Sequence, residues 1–259
     1  VLAKVRSEGL FPTIAAVRSK LAQPIPLGYC HVGEVLDAGE VPGFSAGDLV
    51  VSNSSHAEII SADPAFAARV PAGVSAEHAA FTPLAAVALQ GLRLVSPQKG
   101  ETVVVMGLGL IGQLAVRLLR ARGVEVVGID PDASKRSVAA QAGATAWDSA
   151  TPLPPVLASG AAGVLITAST SSDEPVNLAA RLCRRRGRVV LVGVTGLTLN
   201  RADFYEKELS FQVSCSYGPG RYDPAYEDQG QDYPVGFVRW TEQRNFEAVL
   251  DMLADGSLP

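Results

Sequence analysis

The sequence predicts an α/β protein in which a small antiparallel β domain precedes a doubly wound parallel sheet. Up to about Pro83, short apolar runs are separated by Gly and Pro at close intervals, which is typical of short antiparallel strands. From Glu101 onward, apolar strands alternate with helical patterns, and this alternation builds a parallel sheet covered by helices. The two patterns therefore predict two structural units in one chain.

The first unit is predicted from four apolar segments that are bounded by turn residues. These segments are GYCHVGEVLDAGE, GFSAGDLVVS, HAEIISAD and ARVPAGVS. The spacing of apolar residues then becomes helical in SAEHAAFTPLAAVALQGLRLV, which predicts a connecting helix.

The second unit is predicted to contain five strands, of which TVVVM is expected to be buried, and three helices. The strands are expected in TVVVM, EVVGID, GVLITAS, RVVLVGV and ELSFQVSCS. The helices are expected in LIGQLAVRLLRAR, in DASKRSVAAQAG, which Gly143 closes, and in EPVNLAARLCRRR, whose end at Arg184–Arg186 is expected to be solvated. A long loop, YGPGRYDPAYEDQGQDYPVGF, then precedes a last helix in TEQRNFEAVLDMLADGS. The predicted domains are 1–84, 85–216 and a segment 217–259 that returns toward the first domain.

Composition limits the class of partner. The 259 residues are 47% hydrophobic, which is enough to bury a large core. Lys and Arg number 22 against 26 Asp and Glu, and the resulting net charge of -4 is not that of a nucleic-acid-binding protein, so a small-molecule substrate is expected. The chain has no run of 18 apolar residues to predict a membrane partner, and its three cysteines form no CxxC pair. A reducing cytoplasm is the expected location.

The segment MGLGLIG predicts a dinucleotide site. Gly107, Gly109 and Gly112 have the G-x-G-x-x-G spacing between a predicted strand and a predicted helix, and Asp130 ends the next strand. The first glycine is expected to permit a tight turn, the second to let the backbone approach a pyrophosphate, and the third to allow close packing of helix and strand. The alternative is a purely structural turn with a solvated Asp130.

Three further residues are expected to contact the cofactor. Leu110 and Ile111 begin the helix whose positive end would face the phosphates, and Gly193 follows a later strand.

The acidic residue predicts which nicotinamide cofactor is used. Asp130 would accept hydrogen bonds from the ribose hydroxyls and repel a 2′-phosphate, which favours NAD(H) over NADP(H). Lys135 and Arg136 lie nearby in the sequence and weaken that preference.

With these motifs, the chain resembles the medium-chain dehydrogenase/reductase superfamily. The similarity runs through LGYCHVGEV, FSAGDLV, HAEII, VPAGVSAEHAAFTPLAAVALQGL and GLGLIG. It implies a GroES-like β domain followed by a Rossmann domain, and an oxidoreductase that transfers hydride between NAD(H) and its substrate. SYGPGRYDPAYEDQGQDYPVGFVRWTEQRNFEAVL is especially similar to the zinc-independent dehydrogenase half of bi-domain oxidoreductases. That likeness alone implies a polar hydroxyl or carbonyl substrate such as a sugar derivative.

Two other functions stay open at this point. Zinc-free relatives of the quinone-reductase type reduce activated carbon–carbon double bonds, and a non-catalytic dinucleotide-binding module would need no acid or base. The resemblance further implies a homodimer formed around Leu209–Cys215, and a separate or fused oxidoreductase domain is another candidate partner.

The stretch IPLGYCHVGEV departs from the zinc-dependent members of the superfamily. Those proteins hold zinc with an early Cys, the His of a Gly-His-Glu motif and a later Cys or acidic residue. In this chain Tyr29 stands at the His position, and a phenol is a poor zinc ligand. The resemblance therefore implies an enzyme without zinc, and no metal-binding residue is predicted. Cys30 is expected to be a small buried hydrophobic residue.

A carbonyl that is reduced without zinc needs another group to stabilise the charge on its oxygen. Tyr29 is the first candidate, because the resemblance places it beside the cleft. The alternative is that its phenol caps the core of the first domain.

The resemblance places a second group of residues, in the loop after the last Rossmann strand, near the nicotinamide. Tyr217 is a second candidate donor, and Gly218 is expected to let backbone groups approach the cofactor. Arg221 is expected to bind a carboxylate or a sugar hydroxyl. In the alternative, Arg221 only ties its loop to Asp223 or Glu227.

Overall fold

In this computed structural model, the described residues are Gly9 and 26–258. The strands are β1 (His31–Glu34), β2 (Leu49–Ser52), β3 (Ala67–Arg69), β4 (Thr102–Met106), β5 (Glu125–Ile129), β6 (Thr145–Trp147), β7 (Ala161–Ile166), β8 (Cys183–Leu191) and β9 (Ser210–Val213). The helices are α1 (Ala76–Ala79), α2 (Thr82–Val95), α3 (Leu110–Ala121), α4 (Ala133–Gln141), α5 (Glu174–Leu182), α6 (Arg201–Lys207), α7 (Pro224–Glu227) and α8 (Glu242–Ala254).

The first three strands form a small antiparallel sheet in the order β1-β2-β3. Three of the four apolar segments predicted for this unit supply its strands. The fourth, HAEIISAD, is mostly exposed and forms no ladder with the described strands, so its prediction as part of the sheet is wrong. A side-chain contact nevertheless holds it to β1, because His31 Nε2 lies 3.2 Å from the carbonyl oxygen of Ala57.

The other six strands form one parallel sheet in the order β6-β5-β4-β7-β8-β9. From the boundary between β4 and β7, the strands follow one another in chain order toward each edge of the sheet. The sheet is therefore doubly wound, which confirms the predicted α/β class. Such sheets bind ligands beyond the carboxyl ends of the strands, at the point where the order reverses.

Helix α2 joins the two sheets and is buried on nearly all sides. It packs against α3 on one side and α8 on another, while Gly91 allows it to approach β7 closely. An alanine-rich sequence suits this position because small side chains let helices pack tightly. One apolar core includes α2, α3, α8 and residues of the antiparallel sheet, and a second core fills the opposite face of the parallel sheet.

Two helix predictions are corrected by the structure. The predicted connecting helix is two helices that break at Phe81. The predicted helix through Arg184–Arg186 ends at Leu182, and the arginines lie in β8. The reason is tertiary, because Lys207 Nζ donates hydrogen bonds to carbonyl oxygens at the helix end, including that of Cys183 at 2.8 Å.

The arginines are exposed as predicted, and two of them form ion pairs, Arg184 with Glu101 and Arg186 with Glu208 at 3.1 Å. Helix α6 and strand β6 are present in the structure, and the sequence patterns did not predict them. Within the described residues, every helix is too short or too polar to cross a membrane.

Candidate functional site

Residues predicted to bind the cofactor, and residues predicted in the loop after the last strand, follow strands at the carboxyl edge of the parallel sheet. Gly107 follows β4, Asp130 follows β5 and Gly193 follows β8. Tyr217 and Arg221 lie in the loop after β9. Because all six strands are parallel, the topology brings these loops to one edge of the sheet.

The glycine turn has the stereochemistry that its spacing predicts. Gly107 has a φ of 90°, and a Cβ there would lie 2.6 Å from the amide nitrogen of Ala168. A Cβ on Gly112 would lie 2.0 Å from the carbonyl oxygen of Gly107, whereas a Cβ on Gly109 would meet no atom within 4 Å. No side chain caps the helix that starts at Leu110, so its amino end faces open space. Gly107 and Gly112 thus stand where a side chain would clash, whereas the approach of a pyrophosphate to Gly109 stays a prediction.

Asp130 is built into this turn. Its side chain accepts hydrogen bonds from the amide of Leu108 at 2.8 Å and from the amide of Asp132 at 2.9 Å. The residue is only 7% exposed, so the alternative of a solvated carboxylate is wrong. Each carboxylate oxygen retains a lone pair after one hydrogen bond, and Asp130 is therefore still able to accept from a ribose hydroxyl.

Arg136 contacts the same strand end from α4. Its guanidinium donates to the carbonyl oxygens of Asp130 at 2.6 Å and Pro131 at 3.0 Å, and it lies 3.1 Å from the carboxylate of Asp148. These partners hold its side chain and balance its charge. Arg136 is therefore less available to a 2′-phosphate than its place in the sequence suggests.

Gly193 lies where two loops pack together, whereas Leu110 and Ile111 begin helix α3. A Cβ on Gly193 would lie 2.1 Å from the carbonyl oxygen of Ala168, so glycine is needed there for close packing of two loops. The same inter-strand region holds Thr167, whose hydroxyl donates to the carbonyl oxygen of Gly107 at 2.5 Å. Sequence patterns give no signal for this threonine, although it fastens the glycine turn to the loop after β7. Leu110 is half exposed at the first turn of α3, beside Ile111.

Tyr217 lies behind the edge, in an aromatic cluster. Its ring packs edge-on against Phe66 and Phe246, with centroid distances of 6.4 Å and 5.2 Å, and it is 6% exposed. Burial, and next the proximity of Tyr29, raise the pKa of Tyr217 to about 12, although a hydrogen bond with Asn53 opposes the rise. The Tyr217 hydroxyl therefore keeps its proton at neutral pH.

Tyr29 is the accessible phenol of the pair. It keeps 50% of its surface exposed, and it is an electrostatic neighbour of Tyr217 together with Cys30 and Arg221. Cys30 is partly buried, and burial raises the pKa of its thiol. The structure thus brings together all three predicted catalytic candidates, with one phenol exposed and the other buried.

Arg221 makes the structural contact that the alternative predicted. Its guanidinium lies 2.5 Å from the Glu227 carboxylate, and it shows no ion pair with Asp223. It also lies 4.1 Å above the ring of Tyr222 and 5.5 Å from that of Phe66. A quarter of the side chain is still exposed, and Glu227 is its one ion-pair partner among the described residues.

The expected reason for a glycine at position 218 is not the observed one. Gly218 has a φ of 119°, and a Cβ there would lie 2.8 Å from Asn245 Nδ2 and 2.9 Å from Gln90 Oε1. Asn245 in turn donates to the carbonyl oxygen of Tyr217 at 2.7 Å. The glycine therefore allows the loop to pack against α2 and α8, rather than opening space for a ligand.

Glu242 was not identified from the sequence. It is fully buried at the first position of α8, and neither carboxyl oxygen has a hydrogen-bond partner. Burial, and next the nearby carboxylate of Glu227, raise its pKa to about 8, while Arg221 acts in the opposite direction. A Glu at a helix start is usually exposed and ionised, so no sequence pattern marks this residue.

Tyr29 and Cys30 lie at the position where the resemblance expects a zinc ligand and its neighbour. Over Gly9 and residues 26–258, no three His, Cys, Asp or Glu side chains converge in a way that could hold a metal. The phenol of Tyr29 lies where the resemblance expects a histidine, and the neighbouring thiol favours its protonated form.

Comparison with known proteins agrees with this architecture. Residues 111–228 match the family model of the zinc-binding dehydrogenases. A D-guloside 3-dehydrogenase of Escherichia coli strain K12 is 29% identical over 249 residues, which cover 90% of this chain and 67% of that relative.

Solved structures share the fold over most of the chain. A protein from Sinorhizobium meliloti 1021 that carries the name zinc-binding dehydrogenase, bound to NADP, has a TM-score of 0.73 at 22% identity, over 92% of this chain and 75% of its own. The galactitol-1-phosphate dehydrogenase of Escherichia coli has a TM-score of 0.72 at 20% identity, over 91% of this chain and 75% of its own. With its glycine turn at the carboxyl edge of a doubly wound sheet, the chain is similar in sequence and fold to the medium-chain dehydrogenases, and it is an oxidoreductase.

Proposed function

We propose that this protein is a zinc-independent, NAD(H)-dependent dehydrogenase that interconverts a hydroxyl and a carbonyl group in a sugar derivative. The observation that carries the proposal is the open space at Gly109 beside the uncapped amino end of α3; the neighbouring phenols of Tyr29 and Tyr217 supply candidate donors. The sugar class is supported by the similarity to D-guloside 3-dehydrogenase.

The residues of the glycine turn suit the binding of NAD(H). The backbone at Gly109 and the first turn of α3 would bind the pyrophosphate, and Asp130 would accept from the adenosine ribose. The bound nicotinamide supplies the acceptor or donor of hydride. A preference for NAD(H) is supported by the negative charge of Asp130 and by the engagement of Arg136 with Asp148. The Sinorhizobium meliloti relative is bound to NADP, so both cofactors must be compared.

The phenol side chains are the proposed hydrogen-bond and proton donors to the substrate oxygen. Tyr29 is the proposed donor to the carbonyl oxygen, because its side chain is accessible and its phenol is able to donate a hydrogen bond. Tyr217 keeps its proton at neutral pH and lies behind Tyr29. Arg221 would hold a hydroxyl or carboxylate of the substrate with the donors that Glu227 does not occupy.

Titration with NADH and NADPH tests this proposal. Nicotinamide fluorescence would follow binding, the zinc content of the same sample would be measured, and turnover would then be assayed with D-gulosides and other hydroxylated sugars. We expect NADH to bind at least about tenfold more tightly than NADPH, a difference of about 1.4 kcal/mol, with no stoichiometric zinc.

Each other outcome contradicts a definite part of the proposal. Tighter binding of NADPH would overturn the assigned role of Asp130, and stoichiometric zinc needed for turnover would overturn the metal-free mechanism. Turnover only of activated carbon–carbon double bonds would favour a reductase of the quinone-reductase type. Cofactor binding without turnover of either class would favour a non-catalytic module.

A further inference from the structure

Glu242 occupies a fixed position where three parts of the molecule meet. Its amide donates to the carbonyl oxygen of Pro219 at 2.9 Å, in the loop that carries Tyr217 and Arg221. The next residue, Gln243, donates from its side chain to the carbonyl oxygens of Pro64 at 2.8 Å and Ala67 at 3.1 Å. The start of α8 is therefore fastened to the antiparallel sheet and to the loop after β9 at once.

The carboxyl group of Glu242 is buried without a partner. Both of its oxygens are inaccessible to solvent and neither receives a hydrogen bond. A charged carboxylate in such a place has lost its hydration without compensation, which strongly favours the neutral acid. Its place at the start of a helix favours the charged form, but the rise of its pKa to about 8 shows that burial has the larger effect.

The titratable groups around Glu242 are two phenols, those of Tyr226 and Tyr233, whose pKa values are raised, and three charged side chains. Glu227 of α7 and Asp63, just before the turn at Pro64–Phe66, both disfavour its ionisation, whereas Arg221 favours it. Arg221 is already paired with Glu227 at 2.5 Å. One guanidinium thus influences two carboxyl groups, and among the described residues it forms an ion pair with Glu227 and not with Glu242.

We propose that Glu242 is a positioning residue that acts through Arg221, because its proton determines whether one or two carboxylates attract that guanidinium. While Glu242 is neutral, Glu227 alone balances Arg221, and the exposed part of the guanidinium is available to the substrate. When Glu242 ionises, a second buried carboxylate attracts Arg221 and competes with the substrate for its donors. This inference rests on the proposed function, in which Arg221 holds the substrate.

The side chain of Arg221 gives a readout that needs no substrate. We would follow the Nε–Hε signals of the arginines by NMR between about pH 6 and about pH 10, a range that brackets the expected titration. The signal of Arg221 is identified by its loss in Arg221→Lys. We expect this signal to titrate in the wild-type protein and to stay constant in Glu242→Gln, in which a neutral side chain of the same size replaces the acid.

Glu247→Gln is the matched control, because Glu247 is an exposed glutamate on the same helix whose pKa is also raised. The control should leave the titration of Arg221 in place. If the Arg221 signal does not titrate in the wild-type protein, or titrates equally in Glu242→Gln, the inference is wrong. Since this test uses neither cofactor nor substrate, its failure is distinct from a failure of the NADH titration.

Kinetics then test the consequence for the substrate. As pH rises through the titration of Glu242, we expect KM of the wild-type enzyme to rise by about tenfold, which corresponds to about 1.4 kcal/mol of lost binding. In Glu242→Gln, KM should stay near its low-pH value, while kcat keeps the pH dependence of the wild type. A pH profile of KM that is the same in both proteins would overturn the coupling.

Discussion

Burial determines the protonation of two side chains near the site, and the consequences differ because the groups differ. The phenol of Tyr217 and the carboxyl group of Glu242 are both deprived of water, and the pKa of each is raised. For Tyr217 this only extends the pH range in which the phenol is neutral and keeps its O–H as a hydrogen-bond donor. For Glu242 it moves the titration into the physiological range, where it can respond to small changes in pH.

The two phenols are predicted to contribute unequally to catalysis. Tyr29→Phe removes the accessible hydroxyl, and we expect kcat to fall by about 100-fold because a proton donor in the transition state is lost. NADH affinity, measured by fluorescence titration, should stay within about twofold of the wild type, since Tyr29 is not among the residues assigned to the cofactor. In Tyr217→Phe the ring packing against Phe66 and Phe246 is preserved, and we expect the smaller loss of kcat.

Tyr205→Phe is the control for these substitutions, because Tyr205 is an exposed phenol on α6, outside the site. It should leave kcat unchanged. A normal kcat in Tyr29→Phe together with a 100-fold loss in Tyr217→Phe, by the same general-acid reasoning, would transfer the donor role to the buried phenol.

At the scale of elements, the unit β4-α3-β5 is the part in which sequence and structure agree best. Its strand, turn and helix are encoded by adjacent residues, and the clash distances at Gly107 and Gly112 match the reasons that the motif predicts. Helix α5 shows the opposite case, because its end is set by Lys207, which lies on α6 more than twenty residues away. An apolar and basic pattern through Arg186 is equally compatible with a longer helix, so only the tertiary contact decides its length.

Two glycines of the turn provide a matched pair of substitutions. Gly109→Ala adds a methyl group in open space at a φ of -68°, which alanine adopts readily, so the unfolding free energy should change by less than about 1 kcal/mol. The methyl group would nevertheless occupy the space of the pyrophosphate, and we expect NADH affinity to fall by about tenfold or more. Thermal unfolding and fluorescence titration of the same samples measure both effects.

Gly112→Ala should behave differently, because its methyl group would lie 2.0 Å from a backbone oxygen. We expect α3 to be displaced, with a loss of about 2 kcal/mol in unfolding free energy as well as weaker binding. If Gly109→Ala is as unstable as Gly112→Ala, the open space beside Gly109 is not a ligand site in the folded protein.

At the scale of the whole molecule, the junction of the two sheets depends on α2 and α8. Helix α8 packs against α2 and β3, and its residue Asn245 also holds the carbonyl oxygen of Tyr217. Dimerisation around Leu209–Cys215 stays a prediction. In the described part of the chain β9 is an edge strand of the parallel sheet, and Val213 is exposed there, as such a contact would require.

The stability of the molecule is predicted to depend on the proton of Glu242. Its pKa is about 8 in the folded protein against 4.5 for the unperturbed group, so between these values the folded state holds a proton that the unfolded state has released. The unfolding free energy therefore falls as pH rises through this window, by at most about 1.4 kcal/mol per pH unit for one proton. The stabilisation from Glu242 is complete below its unperturbed pKa of 4.5 and is lost as pH rises past its folded-state pKa of about 8.

Urea unfolding of the wild-type protein and of Glu242→Gln at several pH values measures this contribution. The difference in unfolding free energy between the two proteins should shift in favour of Glu242→Gln as pH rises toward 8, the value near which Glu242 titrates. A difference that is constant over the window would show that Glu242 has the same pKa in both states.

The sequence by itself determined the α/β class, the glycine turn and the place of Asp130, because each depends on residues that are neighbours along the chain or on a regular alternation of elements. It also supplied Tyr29, Tyr217 and Arg221 through resemblance. Only the tertiary structure decided that Gly218 packs against Asn245. Burial and charge environment are sums over contacts between distant segments, so the protonation of Glu242 became visible only when those segments were brought together. For Arg221 the sequence offered Asp223 or Glu227 as a partner, and the structure decided for Glu227.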